Sequence, residues 1–261
     1  MSVVGLKGIQ DWVTSYTFSP TTFPKSLILE GDMGSGRHLV ANLINQNLSL
    51  SNEPVMEITD DISSDLIDGI YTSTTPIVYF IDGSKLSISN QQKILKLIEE
   101  PPLYAYMIIS CKNRYQLSET IRNRCIIKSM DIYSAEELGF FGSIDILIAN
   151  TPGKQILWKN EDIPTIRTIC KNIFEYLKTV NYPNLLSISS KFKYGDKDSG
   201  HDFNLFLSLL GEECKEAFKR GIIPFEVVSK TASFIGYCNV PNLNKKNLLE
   251  AYLTVIRYDT Y

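Results

Sequence analysis

The sequence predicts an α/β fold, a parallel sheet with helices on both faces, followed by a small helical segment and an all-helical C-terminal domain. Three observations predict it. Short apolar runs at 26–30, 77–82, 106–110 and 126–130 alternate with stretches of helical spacing, the signature of a helix-covered parallel sheet. The first run enters a glycine-rich turn, Gly31-Asp-Met-Gly-Ser-Gly36, that opens a helix. Past Tyr133 only helical spacing remains. The expected division is an α/β domain at 1–131, a small helical segment at 132–160 and a helical domain at 161–261.

Leu6 to Tyr16 reads as a short helix and Ser26–Glu30 as a buried strand. His38–Asn47 places Leu39, Val40, Leu43 and Ile44 at helical spacing. Pro54–Ile58 suits a strand, and Ser63–Thr72 a helix with Leu66, Ile67 and Ile70 on one face. The strand Ile77–Asp82 leads to a helix from Asn90 that stops at Pro101, because proline cannot continue it and disfavours helix in the residue before it. A strand at Met107–Ser110, a helix around Tyr115–Arg122 and a last strand at Ile126–Met130 follow. Ser134 with Glu137 reads as a capping box. Helical spacing runs to about Trp158 and resumes at Ile163, broken at Pro183 and by a surface loop at Lys193–His201. Phe203–Leu210 and Leu248–Ile256 are apolar enough for core or for a subunit interface.

With 261 residues, 44% of them hydrophobic, the chain has material for two or three small domains. A net charge of −3 is not that of a module that grips nucleic acid alone, since phosphate neutralisation needs excess cations. Cys111, Cys125, Cys170, Cys214 and Cys238 are scattered and odd in number, which reads as free thiols in a reducing compartment. No apolar leader and no run near the roughly 20 residues that span a bilayer is visible. The expectation is a cytoplasmic protein without a membrane partner.

The turn matches the phosphate-binding pattern G-x-x-x-x-G-K-[ST] in part. In that pattern backbone N–H groups converge on phosphate oxygens, the lysine reaches the β- and γ-phosphates and the hydroxyl holds Mg²⁺. Gly31 and Gly36 keep the spacing, Gly34 and Ser35 lie between them, and strand and helix flank the loop. The lysine position is Arg37 and the hydroxyl position is His38. Arginine keeps the charge without the compact ammonium, and imidazole is no ligand for a hard oxygen-seeking ion. Two readings stand: weak ATP or ADP binding without turnover, or a turn that binds nothing. Asp82 ends an apolar strand 46 residues after Gly36, as a Walker B aspartate does, but Gly83 stands where hydrolysing members carry a glutamate. Loss at both His38 and Gly83 argues against hydrolysis.

Asn90-Gln-Gln-Lys-Ile-Leu-Lys-Leu-Ile-Glu-Glu-Pro-Pro102, the strand after it and Thr120-Ile-Arg-Asn-Arg-Cys125 together resemble the ATPase core of bacterial clamp-loader subunits, members of the AAA+ class. The last segment resembles their T-[IV]-x-S-R-C motif, with Asn123 for serine. The resemblance implies that Arg124 acts in trans as an arginine finger on a neighbour's ATP site, with Arg122 as the lesser match. It puts Asn113 at the sensor-1 position, where an ordinary turn-former also fits. Thr151-Pro-Gly-Lys154 resembles the lid motif, which puts Lys154 near the sensor-2 position, where a solvated lysine at a helix start also fits. Members carry a helical collar, which 161–261 would supply. They usually carry a four-cysteine zinc module too, but no cysteine precedes Cys111 and 47–58 is too short for one, so no zinc is expected; no residue is read as a metal ligand, and Mg²⁺ is expected only with weakly bound ATP or ADP. The implied partners are delta-like and gamma/tau-like loader subunits, a sliding clamp, and primed DNA through the assembly. The alternatives are a P-loop ATPase active in its own right and a degenerate P-loop adaptor outside replication.

Overall fold

The computed structural model describes residues 6–16, 22–48, 55–58, 62–175, 186–195, 200–240 and 243–258. Its contacts divide the chain into two units, Met1–Gly142 with Asn150–Gln155 and Ser143–Ala149 with Ile156–Tyr261.

In the first unit, β1 (Ser26–Glu30), β2 (Met56–Ile58), β3 (Ile77–Asp82), β4 (Ala105–Cys111) and β5 (Ile126–Ser129) form one sheet in the order β2-β3-β4-β1-β5. All its pairings are parallel. The apolar runs follow from burial on both faces. Leu27, Leu29, Val78, Phe80 and Ile108 pack with Ile9, Val13, Val40 and Ile44 of α1 (Lys7–Thr14) and α2 (Arg37–Asn47). Ile28, Tyr79, Ile81, Met107 and Ile109 turn the other way, against Ile70, Ile94, Leu97 and Ile98 of α3 (Ser64–Thr72) and α4 (Ile88–Glu99). Each such fully buried side chain is worth about 2 kcal/mol.

Serines set the helix starts. Ser63 accepts from the Leu66 amide and Ser87 from the Asn90 amide. Helix α4 therefore begins two residues before the predicted Asn90, and it ends at Glu99, ahead of Pro101. The helix expected around Tyr115–Arg122 is two pieces: a 3₁₀ turn at Arg114–Gln116 capped by Asn113, then α5 (Glu119–Arg122) capped by Ser118. Leu117 between them is extended and buried against the α4 side of the sheet. That burial and the second cap outweigh helical continuity. The predicted capping box opens α6 (Ala135–Gly139): Ser134 Oγ accepts from the Glu137 amide, and Glu137 Oε2 from the Ser134 amide. Helix α7 is Pro152–Leu157.

In the second unit, α8 (Ile163–Glu175), α9 (Phe203–Lys219), α10 (Phe225–Tyr237) and α11 (Lys245–Tyr258) supply the framework. The expectation of helix alone past Tyr133 needs one correction. Phe192–Lys193 (β6) pairs in parallel with His201–Asp202 (β7) across the predicted loop. Asp202 explains the pairing's anchorage, since its Oδ1 caps α9 through the Leu205 amide and accepts from the buried Trp158 indole at 3.2 Å. Residues 196–199 of that loop, and the break expected at Pro183, lie outside the described residues. The apolar runs furnish core: Phe203, Leu205, Phe206, Leu209 and Leu210, and Leu249, Tyr252, Leu253 and Ile256, are buried.

Candidate functional site

Parallel strands bring their carboxyl ends together, so Glu30 lies beside Cys111 and Asp82 beside Ser110 at one edge of the sheet. The Gly31–Gly36 loop leaves β1 at this edge. Gly34 and Gly36 sit at φ +73° and +89°, where a side chain is strained. A Cβ on Gly31 would lie 2.6 Å from Ser35 Oγ and 2.5 Å from Met130 Cγ. Gly34 and Gly36 are therefore required by the backbone conformation, and Gly31 by the side chains packed against it.

The loop is engaged by groups of its own unit. Asp32 Oδ2 accepts from Lys154 Nζ at 2.5 Å, its Oδ1 accepts from the Met33 amide at 2.8 Å, and Lys112 Nζ stands 3.7 Å from Oδ1. Burial works against ionising Asp32, yet Lys154, Lys112 and the Met33 amide together hold its carboxyl below the ordinary aspartate value. Lys154 also donates to Asn150 Oδ1 at 2.8 Å. Thr151 Oγ1 donates to the Met33 carbonyl at 2.7 Å, and the Gly153 amide to the Gly34 carbonyl at 3.1 Å. Gly34 and Gly153 touch so closely that a Cβ on Gly34 would lie 2.5 Å from Gly153 Cα. Tyr133 donates its hydroxyl to the Ser35 carbonyl at 3.1 Å, and burial pushes that phenol up to about 12. Ser35 Oγ and Arg37 Nη1 are buried without a hydrogen-bond partner.

The remaining predicted residues face elsewhere. His38 Nε2 pairs with Glu57 at 2.8 Å, its Nδ1 meets Asn42 at 3.1 Å, and its ring sits edge-on to Phe80. Asp82 Oδ1 accepts from the Ser84 amide and hydroxyl at 3.1 and 2.7 Å, closing its own turn. A Cβ on Gly83 would lie 2.8 Å from the Ser110 carbonyl oxygen, so no side chain fits there without a backbone shift. Asn113 caps the 3₁₀ turn, its Oδ1 accepting from the Tyr115 amide. Beside it Arg114 forms an ion pair with Glu30, which depresses the Glu30 carboxyl. These residues do not fit a magnesium nucleotide. The hydroxyl ligand is absent at His38, Asp82 serves its turn, and Lys154 is engaged by Asp32 of the loop itself.

Arg124 follows α5, anchored by its amide to the Ile121 carbonyl at 3.1 Å. Its Nε pairs with Glu99 at 2.9 Å and its Nη1 donates to the Thr120 carbonyl at 3.1 Å. Both charged side chains stay accessible, 41% and 42% exposed. Arg122 instead lays its guanidinium 4.8 Å from the Tyr115 ring centre. The structure thus ties Lys154 to Asp32 of the loop that holds Gly31, Gly34, Ser35 and Gly36, and sets His38, Asp82, Asn113 and Arg124 in separate local networks. Asp32, Thr151 and Gly153 were not singled out as loop partners from the sequence. The available signal was an acid inside a glycine loop and a base in Thr151-Pro-Gly-Lys154.

Among the described residues, no helix is long and apolar enough to cross a membrane. Residues 55–132 match the model of the family described as DNA polymerase III, delta subunit. No curated protein matches the sequence. Among solved structures the chain is similar to a DNA polymerase III gamma subunit-related protein of Thermotoga maritima, at 15% identity and TM-score 0.44 over 95% of this chain and 99% of that one. It is similar to the Holliday junction branch migration motor RuvB of the same organism, at 15% identity and TM-score 0.46 over 79% and 69% of the two chains. An arginine-to-alanine variant of Thermotoga maritima RuvB gives TM-score 0.50 at 17% identity, over 71% of this chain and 82% of that one. At that identity the last likeness establishes the fold and nothing of the chemistry.

Proposed function

We propose, from the match of residues 55–132 to the family described as DNA polymerase III, delta subunit, that this chain is a delta-prime-like, non-hydrolysing subunit of a bacterial DNA polymerase III clamp loader. It lends Arg124 to the ATP site of a gamma/tau-like neighbour. With a delta-like subunit, that assembly opens a ring-shaped sliding clamp and closes it on primed DNA.

The observation that carries this reading is the contrast between two cations of the chain, Lys154 and Arg124. Lys154, at the chain's own loop, has an 11% exposed side chain committed to Asp32. Arg124 is accessible and held by an equally accessible carboxylate. Exposed ion pairs contribute about 0–1 kcal/mol, so exchanging Glu99 for a neighbour's phosphate oxygens costs little. A guanidinium delivered to a developing phosphoryl charge is worth orders of magnitude in rate in GTPase systems.

The test is ATP turnover by the co-expressed loader with clamp and primed DNA. Arg124→Ala is expected to lower the rate at least tenfold with assembly intact, which corresponds to about 1.4 kcal/mol of transition-state stabilisation. Arg124→Lys is expected to fall between, since it keeps charge without the planar fork. An unchanged rate in an intact complex, or no complex with loader subunits, sinks the proposal.

A further inference from the structure

We infer that the Gly31–Gly36 loop is a latent oxyanion site whose anion is built in: the Asp32 carboxylate takes the place of a phosphate group and closes the segment Asn150–Gln155 on the loop without any ligand. The inference goes beyond the trans role of Arg124 and stands whether or not that role does.

The argument begins with what a phosphate in such a loop receives, namely a backbone N–H of the turn and one or more cations. Asp32 receives that set. Its Oδ1 takes the Met33 amide at 2.8 Å, its Oδ2 takes Lys154 at 2.5 Å, and Lys112 stands 3.7 Å away. The cations keep the carboxyl ionised at neutral pH, despite the burial that opposes it. A base that is nearly buried, as Lys154 is, needs an anion to be stable there, and this chain supplies one from its own loop.

The closure follows from the same residues. With Lys154 fixed, Thr151 donates to the Met33 carbonyl and Gly153 to the Gly34 carbonyl, and the two glycines meet backbone to backbone. A carboxylate has two oxygens where a phosphate has more, and the shortfall shows. Ser35 is 4% exposed with its Oγ unpartnered against Gly31, and Arg37 Nη1 is buried and unpartnered as well. Ser35 belongs to the loop and Arg37 opens the helix after it, and each keeps a donor that the Asp32 carboxylate does not engage.

The experiment uses the isolated full chain, so its outcome is independent of the loader assay. Inorganic pyrophosphate and ADP are titrated calorimetrically into wild type, Asp32→Asn and the Asp32→Asn/Lys154→Met double variant. Hydrogen exchange is followed at the Gly153 amide. Wild type is expected to bind neither probe below millimolar, with Gly153 protected in the absence of either. Asp32→Asn is expected to gain pyrophosphate affinity of at least about tenfold, and the double variant to lose that gain. Gly153 exchange is expected to rise about tenfold in Asp32→Asn and to fall again when pyrophosphate is added. Micromolar ADP binding by wild type overturns the inference, as does a folded Asp32→Asn with neither gain nor faster exchange. Should Asp32→Asn not fold, Lys154→Met reports instead: faster Gly153 exchange supports the closure, and unchanged exchange refutes it.

Discussion

Gly83→Glu puts back, in sequence terms, the glutamate expected after a Walker B aspartate. The structure says that the exchange damages the fold and restores nothing. The Gly83 amide donates to the Ser110 carbonyl at 2.7 Å, and a Cβ on Gly83 would lie 2.8 Å from that same oxygen. It would also stand 3.0 Å from Ile109 Cγ2 and 3.1 Å from Leu117 Cδ2. Ser110 belongs to β4, a central strand paired on both sides, so the obstructing oxygen is a poor candidate to move. Overpacking at such a place costs about 1–3 kcal/mol, and stretching the hydrogen bond adds about 1 kcal/mol. The cleaner probe is Gly83→Ala, which adds the Cβ without a charge. At an unhindered site that exchange stabilises by about 0.4–1 kcal/mol through the unfolded chain. Here the expectation is a loss of about 3 kcal/mol, opposite in sign. Native-state hydrogen exchange at the amides of Val78–Ile81 and Ile108–Ile109 reads the opening free energy of this unit alone. Equal or greater protection in Gly83→Ala would refute the steric argument. ATP turnover by isolated Gly83→Glu, abolished by Asp82→Ala, would revive the reading of the chain as an ATPase in its own right.

Acid should loosen the first unit through Glu30 and Asp32. Arg114 holds Glu30 below its ordinary 4.5, and Asp32 lies below its ordinary 3.8 because Lys154 and Lys112 outweigh burial. Depressed folded values stabilise above the unfolded pKa and stop doing so as pH falls through the folded ones. Strand protection is therefore expected to be flat near neutrality and to decline below about pH 4.5, less steeply in Arg114→Met; an equal slope in that variant would argue against the Glu30 contribution. In the second unit the buried Thr231 Oγ1 donates to the Val227 carbonyl at 2.7 Å, which makes Tyr252 the donor in their 2.8 Å contact. Thr231→Val strands the phenol and is expected to cost about 2 kcal/mol, against about 1 kcal/mol or less for Tyr252→Phe; exchange at α9 amides orders the two. In the assembled loader, Glu99→Gln is expected to change ATP turnover less than about threefold, since its pair with Arg124 is exposed; a loss as large as that of Arg124→Ala would make Glu99 part of the catalytic arrangement.

The legible parts of the fold are those in which local pattern and tertiary burial say the same thing. Leu27, Ile28 and Leu29 read as a buried strand because both faces of β1 are covered. Ser134 and Glu137 read as a helix start because both halves of the box lie within three residues. The Tyr115–Arg122 helix failed because Asn113 and Ser118 each offer a cap, and the choice between one helix and two pieces falls to Leu117 burying elsewhere. The site divides in the same way. Gly34 and Gly36 are legible since a turn of that shape needs positive φ. Asp32 and Lys154 lie 122 positions apart, and no local rule pairs them. Gly83 reads as a missing residue in the sequence, while the obstruction by Ser110 is visible only with β4 in place.

Two carboxylates of this chain each hold a cation that the clamp-loader resemblance would aim at a phosphate, and their burial separates their consequences. Lys154 is 11% exposed and Asp32 28%, so parting them leaves a nearly buried ammonium uncompensated. Breaking fully buried pairs by removing one partner costs about 3–5 kcal/mol; with Asp32 partly open and Lys112 in reserve, this one falls below that range but well above a surface pair. Arg124 and Glu99 are each about two-fifths exposed, and such a pair contributes no more than about 1 kcal/mol. An incoming phosphate at the chain's own loop has to displace the Asp32 carboxylate from Lys154 and Lys112, whereas at Arg124 it displaces only an exposed Glu99. On the proposed function this asymmetry assigns direction. The chain has little capacity to respond to nucleotide in its own loop, yet its exposed arginine can exchange Glu99 for a neighbour's phosphate at each turnover without disturbing the fold that carries it.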